Sequence, residues 1–315
     1  MLSRVAASFY WLSRYIERSD GMLRMLKINY ASSQDAVQEF TWEPVIRIYA
    51  GLDEDEEDEK YTPLHTDSRA VLKFMVTGKA NANSVLTIIT LARENARSVQ
   101  EHITKDLWQC LNEYYHTIKD PKIEKALQRD DPIGILDVLI KQVMLYYGTV
   151  EITMERGEGR SFMNIGKYLE RAIQSVDLLD TKFGSIDDNP DLLTDTTYWK
   201  HLLLSIGGYE LYQKTYREGF EAENVLEQVV LNNDFPRSVI YSVNNIQRYF
   251  ERLRNESNIN DFRDLSFQIG RLQSRIKYSS VKSIREEGLH TFLSQIRGEL
   301  YGIANRLNEY YFAHS

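Results

Sequence analysis

The chain contains little cysteine and proline, and both shortages restrict what it can be. Its one cysteine, Cys110, cannot form an internal disulfide bond, which argues against a secreted disulfide framework and favours a cytoplasmic protein. Cys110 lies in an apolar segment and is expected to be a small core residue rather than a reactive thiol. Six prolines and 16 glycines among 315 residues leave long stretches without helix breakers, which favours a helical protein.

Long apolar runs and an excess of basic charge are missing as well. No run of 18 apolar residues occurs and the N-terminus lacks a cleavable signal pattern, so the sequence predicts a protein that neither spans a membrane nor is exported. The net charge of −8 comes mostly from residues 53–59, which are all acidic; the remaining chain has 39 acidic and 38 basic residues. This balance speaks against nucleic-acid binding.

Familiar catalytic patterns are also absent from the sequence. No His-Glu-x-x-His helix of a zinc hydrolase occurs, and no serine lies in a nucleophile elbow. We therefore predict no metal site and no cofactor in this chain.

The chain contains an internal repeat. Residues 9–18 recur as residues 162–171, an offset of 153 positions, and both copies end in a Glu-Arg step. Further matches in the same order are Trp42 with Trp199, Arg97-Ser98-Val99 with Arg237-Ser238-Val239, and Tyr147-Gly148 with Tyr301-Gly302. Aligning Arg97 with Arg237 requires an insertion of about 17 residues in the first half, which the acidic block at 53–59 would supply.

The spacing of apolar residues predicts helices throughout. Residues 12–26 and 165–179 each carry one apolar stripe at helical spacing, and no stretch alternates as a strand does. We predict an all-α fold: a tandem-duplicated helical bundle with pseudo-twofold related halves and about five helices in each half. The first repeat would span residues 1–156, with an acidic loop inserted near 52–68, and the second residues 157–315.

The repeated Glu-Arg step lies away from the apolar stripe of its helix. Glu17 and Glu170 occupy the same register, nearly opposite the stripe. A surface pair has no reason to recur in this way, so we expect helices covered on both faces, with the charges paired in a buried network. A ligand-binding role and a plain surface pair are the alternatives. The candidate partners of Glu17 are Arg14, Arg24, Glu94 and Arg97.

Residues 93–97 form the most polar patch within an apolar helical frame. Arg93 and Arg97 are one turn apart and could hold a carboxylate or phosphate, while Asn95 could bind a peptide-like ligand. Arg160, on a glycine-softened connection at 157–159, could contribute to such a pocket. The alternatives are interhelical salt bridges that involve Arg97 and Arg237, and a hinge at the two glycines.

Three of these segments together resemble the alpha-E family, and the resemblance covers essentially the whole chain. They are Trp11–Arg18, Ala92–Arg97 with Trp108 and Asn112, and Phe235–Val239. Members of that family are typically encoded beside circularly permuted ATP-grasp ligases, transglutaminase-like proteins and sometimes an Ntn-hydrolase-type peptidase. By position, the family's Glu-Arg motif falls on Glu17-Arg18 and on Glu170-Arg171. Lys167 stands where the first copy has Arg14, so the two copies are not equivalent.

The resemblance implies a helical partner or scaffold in a bacterial system of peptide synthesis or modification. Its expected partners are the neighbouring ATP-grasp ligase, which would hold any ATP, and the transglutaminase-like protein. The alternative is an enzyme or substrate-binding component whose charged cleft holds an amino acid, a peptide or a phosphorylated intermediate. A homo-oligomer is compatible with the sequence. The candidate network or binding residues are Arg14, Glu17, Arg18, Arg93, Glu94, Asn95, Arg97, Arg160, Glu170, Arg171 and Arg237.

Overall fold

The fold is helical throughout the part of the chain that the structure describes. The computed structural model describes residues 2–34, 41–49, 62–129, 131–184, 196–217, 219–254 and 259–313. These residues contain no strand. The α-helices are α1 Ser3–Ser33, α2 Glu43–Tyr49, α3 Ser68–Leu72, α4 Val85–Ser98, α5 Lys105–Lys119, α6 Pro121–Arg129, α7 Pro132–Thr153, α8 Glu158–Gly184, α9 Thr196–Ser205, α10 Tyr209–Thr215, α11 Ala222–Leu226, α12 Val239–Phe250, α13 Ile259–Lys277, α14 Val281–Glu287 and α15 Leu289–Leu307. The acidic block at 53–59 lies outside the described residues.

The number of helices exceeds the sequence prediction. About five helices were expected in each half, whereas the described residues form fifteen in all. The additional helices are short; α3 and α11, for example, have five residues each. The helical spacing of apolar residues is recognisable only in a window of about 11 or more residues, so it does not reveal helices of five residues.

The chain divides into two compact units. The first consists of Met1–Arg14 and Glu155–Ser315, and the second of Tyr15–Met154. Residues 3–14 of α1 therefore belong to the first unit and the rest of that helix to the second. The predicted repeats, residues 1–156 and 157–315, are units of duplicated sequence, whereas these two units are defined by contacts between residues. The repeat boundaries therefore stay a prediction.

Helix α8 is the centre of the first unit, where α12 and α15 pack against it and α13 packs on both. The first part of α1 approaches α8 closely at two glycines. A Cβ atom on Gly166 would lie 2.3 Å from the Tyr10 carbonyl oxygen, and one on Gly159 would lie 2.7 Å from the Phe9 ring. The glycine hinge predicted at 157–159 is wrong at Gly159, because α8 begins at Glu158 and this glycine packs against an aromatic ring.

In the second unit, α7 packs against α5 and α6, and α4 packs against α5. Pro132 begins α7 after the N-cap Asp131, whose carboxylate accepts from the Gly134 amide at 2.8 Å. Helix α7 is long and apolar enough to cross a membrane, although core helices of soluble proteins can meet the same two criteria. In its most apolar stretch of 18 residues, 33% of the residues are buried. No uninterrupted apolar run of 18 residues marks this helix in the sequence, because Asp137 and Lys141 lie within it.

Two seven-residue connections, residues 78–84 and 232–238, share one backbone pattern. Each follows a short π-helical turn, Lys73–Thr77 or Glu227–Leu231, and ends in a serine that caps the next helix. Ser84 accepts from the Thr87 amide at 3.2 Å, and Ser238 accepts from the Tyr241 amide at 3.1 Å. Their internal hydrogen bonds also match. The amides of residues 81 and 84 donate to the carbonyl oxygens of residues 78 and 81, and the amides of residues 235 and 238 donate to those of residues 232 and 235.

This pattern corrects one of the sequence matches. Arg97 lies in the last turn of α4, whereas Arg237 comes before the N-cap of α12, so the two arginines are not structural counterparts. In backbone pattern, Ser238-Val239 matches Ser84-Val85, 154 positions earlier, since both serines cap the start of a helix. If the two halves are aligned at these serines, the alignment needs no insertion of 17 residues between the Glu-Arg step and α4. The tripeptide match arose because Arg-Ser-Val occurs both at a helix end and at a helix start.

Candidate functional site

Arg14 and Glu170 form a buried ion pair between α1 and α8. The Arg14 Nε and Nη2 atoms lie 2.8 Å and 2.7 Å from Glu170 Oε2, and the two side chains are only 7% and 3% exposed. Arg14 Nη1 also donates to the Tyr10 hydroxyl at 3.2 Å. Removing either charge would leave the other buried without its main partner, so this pair is part of the packing of the unit.

Aromatic rings complete the surroundings of Arg14. Its guanidinium carbon lies 5.0 Å from the Trp11 ring centroid and 5.6 Å from that of Tyr10. Burial lowers the pKa of Arg14, but the attraction of Glu170 and Tyr10 outweighs it, so the pKa is raised above its ordinary value. Arg14 therefore stays charged at any physiological pH.

Glu17, in the second unit, is completely buried. The Tyr147 hydroxyl of α7 donates to its Oε2 atom. One turn further along, Asp20 is 1% exposed and accepts from Arg24 Nε at 3.0 Å. The buried charges of α1 thus continue past the Glu-Arg step, and Glu17 joins α1 to α7 through the Tyr147 hydroxyl.

Three of the four partners predicted for Glu17 are wrong. Arg24 pairs with Asp20, which is four residues away on the same helix. Glu94 and Arg97 pair with each other. The fourth candidate, Arg14, pairs with Glu170. Spacing along a helix identifies neighbours on that helix, but the packing of other helices decides which buried charges meet.

The arginine of each Glu-Arg step contacts one of the two matching connections. Arg18 Nη1 lies 3.5 Å from Asn83 Oδ1, a long hydrogen bond to the connection at 78–84. Arg171 Nη1 donates to the Pro236 carbonyl oxygen at 3.1 Å, in the connection at 232–238. Both arginines therefore hold the segment that leads into the next helix of their own unit.

Arg93 is held in place by residues of α5. Its Nε donates to Asn112 Oδ1 at 2.7 Å, and its guanidinium carbon lies 5.3 Å and 4.9 Å from the ring centroids of Trp108 and Tyr115. Arg93 Nη1 also lies 3.0 Å from Glu94 Oε1. Sequence reasoning singled out Trp108 and Asn112 beside Arg93, and the structure places all three together.

Arg97 does not join Arg93 in a fork. Its side chain is 67% exposed, and its ion pair, with Glu94 of its own helix, is 3.6 Å long. Asn95 Nδ2 donates to the Leu91 carbonyl oxygen at 2.9 Å. The predicted interhelical pairing of Arg97 is wrong, because the helix satisfies this charge locally.

Arg160 and Arg237 have different positions from those expected. Arg160 lies in the first turn of α8 and is 4% exposed, so its predicted place on a flexible connection is wrong. Arg237 lies in the connection before α12, and its carbonyl oxygen accepts from the Ser175 hydroxyl of α8 at 2.8 Å. Both residues belong to the first unit, unlike the patch at 93–97.

Sequence reasoning missed a second charged group on α8. Arg297 of α15 binds Asp177 at 2.7 Å and Asp180 at 2.9 Å, and His290 Nδ1 lies 2.7 Å from the other oxygen of Asp180. Burial raises the pKa of Asp177 to about 6; Arg297 opposes this shift, and nearby carboxylates add to it. The signal was available, since Asp177 follows Glu170 by seven residues and lies on the same helix face.

Acidic residues and histidines do not converge on a metal site in the described parts of the chain. Two Glu-x-x-His spacings occur, Glu113 to His116 and Glu287 to His290. No three His, Cys, Asp or Glu side chains lie together in a way that could hold a metal ion there. Burial raises the pKa of Cys110 to about 11, so its thiol is protonated at neutral pH.

The first unit has an open groove of about 580 Å³ between α13 and α15. Gly298 and Gly302 line it, as do Arg271, Arg275 and Phe267. None of the predicted network residues lines this groove. Glu299, another lining residue, pairs with Arg271 at 3.4 Å and with Arg275 at 3.3 Å.

These features define an all-helical protein in which the Glu-Arg steps join helices to each other and to their connections. The chain belongs to the Alpha-E family, described as a predicted alpha-helical domain with a conserved ER motif, whose family model matches residues 1–312. Searches of curated proteins and of solved structures found no match to the chain.

Proposed function

We propose that this Alpha-E protein is a helical docking component of a system that synthesises or modifies peptides. In this proposal it binds a neighbouring ATP-grasp ligase and a transglutaminase-like protein, and the chemistry takes place on those partners. The identity of the partners rests on the family resemblance, and the docking role rests on the structure of the Glu-Arg site.

The observation that carries the docking role is that the charges of the Glu-Arg site bind groups of the protein itself. Glu170 receives two N–H groups of Arg14 at 2.7–2.8 Å, and both side chains are at least nine-tenths buried. Arg93, half-buried, binds Asn112 and two aromatic rings. Groups held in this way are part of the packing of the fold and have little capacity left for a substrate.

The surface of the first unit offers a place for a partner. Phe267, 68% exposed, lies at the groove between α13 and α15. Exposed aromatic rings next to arginine are enriched in protein interfaces. Arg271, 61% exposed, provides such a neighbour on the same groove.

The experiment is co-purification of this protein with the product of a neighbouring ATP-grasp gene. We expect wild type and Arg97→Ala to retain the ligase and Phe267→Glu to lose at least about tenfold in affinity, because a charge would enter an apolar contact. Tyr278→Glu, at a site 79% exposed, is the matched control and should bind as wild type does. Failure of wild type to retain any neighbouring protein contradicts the proposal.

We also propose that the two halves are tandem duplicates. The matching connections and serine caps, 154 positions apart, support this.

The alternative function is a substrate-binding component that holds a carboxylate or phosphate. The exposed Arg97, one turn from the well-ordered Arg93, is the observation that favours it. Titration of the purified protein with inorganic phosphate and with a glutamate-containing dipeptide tests this alternative. Binding that disappears in Arg97→Ala would support it, and equal titrations for wild type and variant would remove it.

A further inference from the structure

Three tyrosine rings of α8 and α12 form a cluster in the first unit. The Tyr168 ring of α8 stacks on the Tyr249 ring of α12, with centroids 6.2 Å apart and planes 15° from parallel. Tyr168 also meets Tyr241 edge to face at 6.0 Å. Tyr168 is buried, whereas Tyr241 and Tyr249 are half-buried. Because α12 packs against α8, the two helices hold these rings in fixed positions.

Two cations of α8 lie on this cluster. Lys167 Nζ is 4.3 Å from the centroid of the Tyr168 ring, and the guanidinium carbon of Arg171 is 5.4 Å from it. Arg171 is also held by its hydrogen bond to the Pro236 carbonyl oxygen. Cation–π contacts and this hydrogen bond therefore fix the positive charges of α8 beside the ring.

Two arginines of α12 lie on the other side of the stacked pair of rings. The guanidinium carbons of Arg248 and Arg252 are 5.7 Å and 5.2 Å from the centroid of the Tyr249 ring. Both residues are exposed. Within the described parts of the chain, neither side chain takes part in an ion pair or a hydrogen bond. Their ring contact positions them but leaves their N–H groups available to a ligand.

The carboxylates nearest to these cations in sequence are bound elsewhere. Helix α12 contains no acidic residue. Glu251, which follows it directly, accepts from Gln247 and from Ser266 of α13. On α8, Glu170 is buried in its ion pair with Arg14. These carboxylates therefore do not neutralise the exposed arginines of α12.

We infer that this tyrosine and cation cluster binds an extended peptide segment rich in aspartate or glutamate, independently of the partner proposed above. Guanidinium groups bind carboxylates through paired N–H groups. Arg248 and Arg252 are one turn apart, about 6 Å along the helix. Alternate side chains of an extended peptide are about 6.6 Å apart. Two acidic residues of one peptide can therefore reach both arginines at once.

The face fits two other kinds of anion less well. Single-stranded nucleic acids stack their bases on open aromatic faces, but Tyr168 is buried and stacks on Tyr249. Proteins that lie on a membrane insert apolar side chains into it, and in the described residues none of the exposed large apolar side chains belongs to α8 or α12. Charge, rather than stacking or insertion, is what this face offers.

The test is fluorescence anisotropy of labelled octaglutamate and octalysine with the full-length protein. Wild type is expected to bind octaglutamate and not octalysine. Arg248→Gln combined with Arg252→Gln should raise the dissociation constant for octaglutamate by at least about tenfold. The matched control is Lys277→Gln combined with Lys282→Gln, which removes two exposed cations from the same unit and should bind as wild type does.

Circular dichroism confirms that each variant folds. A wild type that does not bind octaglutamate overturns the inference, as does equal binding by wild type and the double arginine variant. Octathymidylate and phosphatidylglycerol vesicles represent the two other kinds of anion. Tighter binding of either one than of octaglutamate, lost in the double arginine variant, would also overturn the inference.

Discussion

At the residue scale, the arrangement of Arg14 and Glu170 shows how a charged motif can serve as packing. Two N–H groups of the arginine point at one carboxylate oxygen, and a tyrosine hydroxyl and a tryptophan ring surround the guanidinium. Such a pair contributes little net stability compared with apolar residues of the same size, but it is costly to break. This asymmetry gives the motif a measurable signature.

The first prediction concerns that signature. Glu170→Ala should lower the free energy of unfolding by about 3–5 kcal/mol, because Arg14 would remain buried and charged without its carboxylate. The double variant Arg14→Met, Glu170→Met should cost less than the single variant, since it buries no charge. Urea denaturation followed by circular dichroism measures both.

The control for this prediction is Arg97→Ala, which removes an exposed partner of a 3.6 Å ion pair. Its effect should stay within about 0.5 kcal/mol. If Glu170→Ala is as mild as Arg97→Ala, the buried pair does not have the role assigned to it.

A second prediction follows from Asp177. Its pKa is about 6 in the folded protein, against 3.8 for an unperturbed aspartate, so between these values the folded state holds more protons than the unfolded state. This group's contribution to stability therefore falls as pH rises from about 4 to about 6. The difference in unfolding free energy between wild type and Asp177→Asn should decline by on the order of 2 kcal/mol across that window. A difference that stays constant from pH 4 to 7 would show that the carboxyl titrates normally.

At the scale of the element, glycine sets how closely α1 and α8 approach. Gly166→Ala should destabilise the protein by about 1–3 kcal/mol, because the added methyl group would meet the Tyr10 carbonyl oxygen, a backbone atom that cannot rotate away. Gly270→Ala, within α13, is the matched control, since nothing lies within 4 Å of its Cβ position. That change should stabilise by about 0.5–1 kcal/mol through helix propensity. Thermal unfolding compares the two, and equal effects of the same sign would refute the close approach.

The elements also show what the sequence could predict. The apolar stripes at 12–26 and 165–179 correctly indicated long helices and an all-helical fold. Short helices such as α3 and α11 escaped because five residues cannot display a period. The match of Arg97 with Arg237 failed because identical letters stood at different places in their helices, and only the serine caps reveal the register.

The partners of the buried charges could be predicted only in part. The burial of Glu17 and Glu170 was predicted from the recurrence of the Glu-Arg step at one helical register, and both side chains are buried in the structure. The partner of Glu170 is Arg14, 156 residues away in sequence, and only the packing of α1 against α8 determines that meeting. Asp177 and Asp180 could have been found, because they continue the face of α8 on which Glu170 lies.

At the scale of the whole molecule, the buried charges and the exposed groove lie at different places and can be tested separately. The Glu-Arg charges are used within the fold, and we propose that the groove between α13 and α15 receives the partner. Variants at exposed positions such as Phe267 can therefore test docking without disturbing the folded core.

The central claim is that the charged network supports the protein rather than a substrate. Its most direct test is the amide-forming activity of a reconstituted complex of this protein with its neighbouring ligase, comparing wild type with Arg97→Ala and Glu17→Gln, each shown to be folded. We predict that any variant that folds and binds the ligase retains wild-type activity. Intact binding combined with lost activity would contradict the account and place these residues on the substrate.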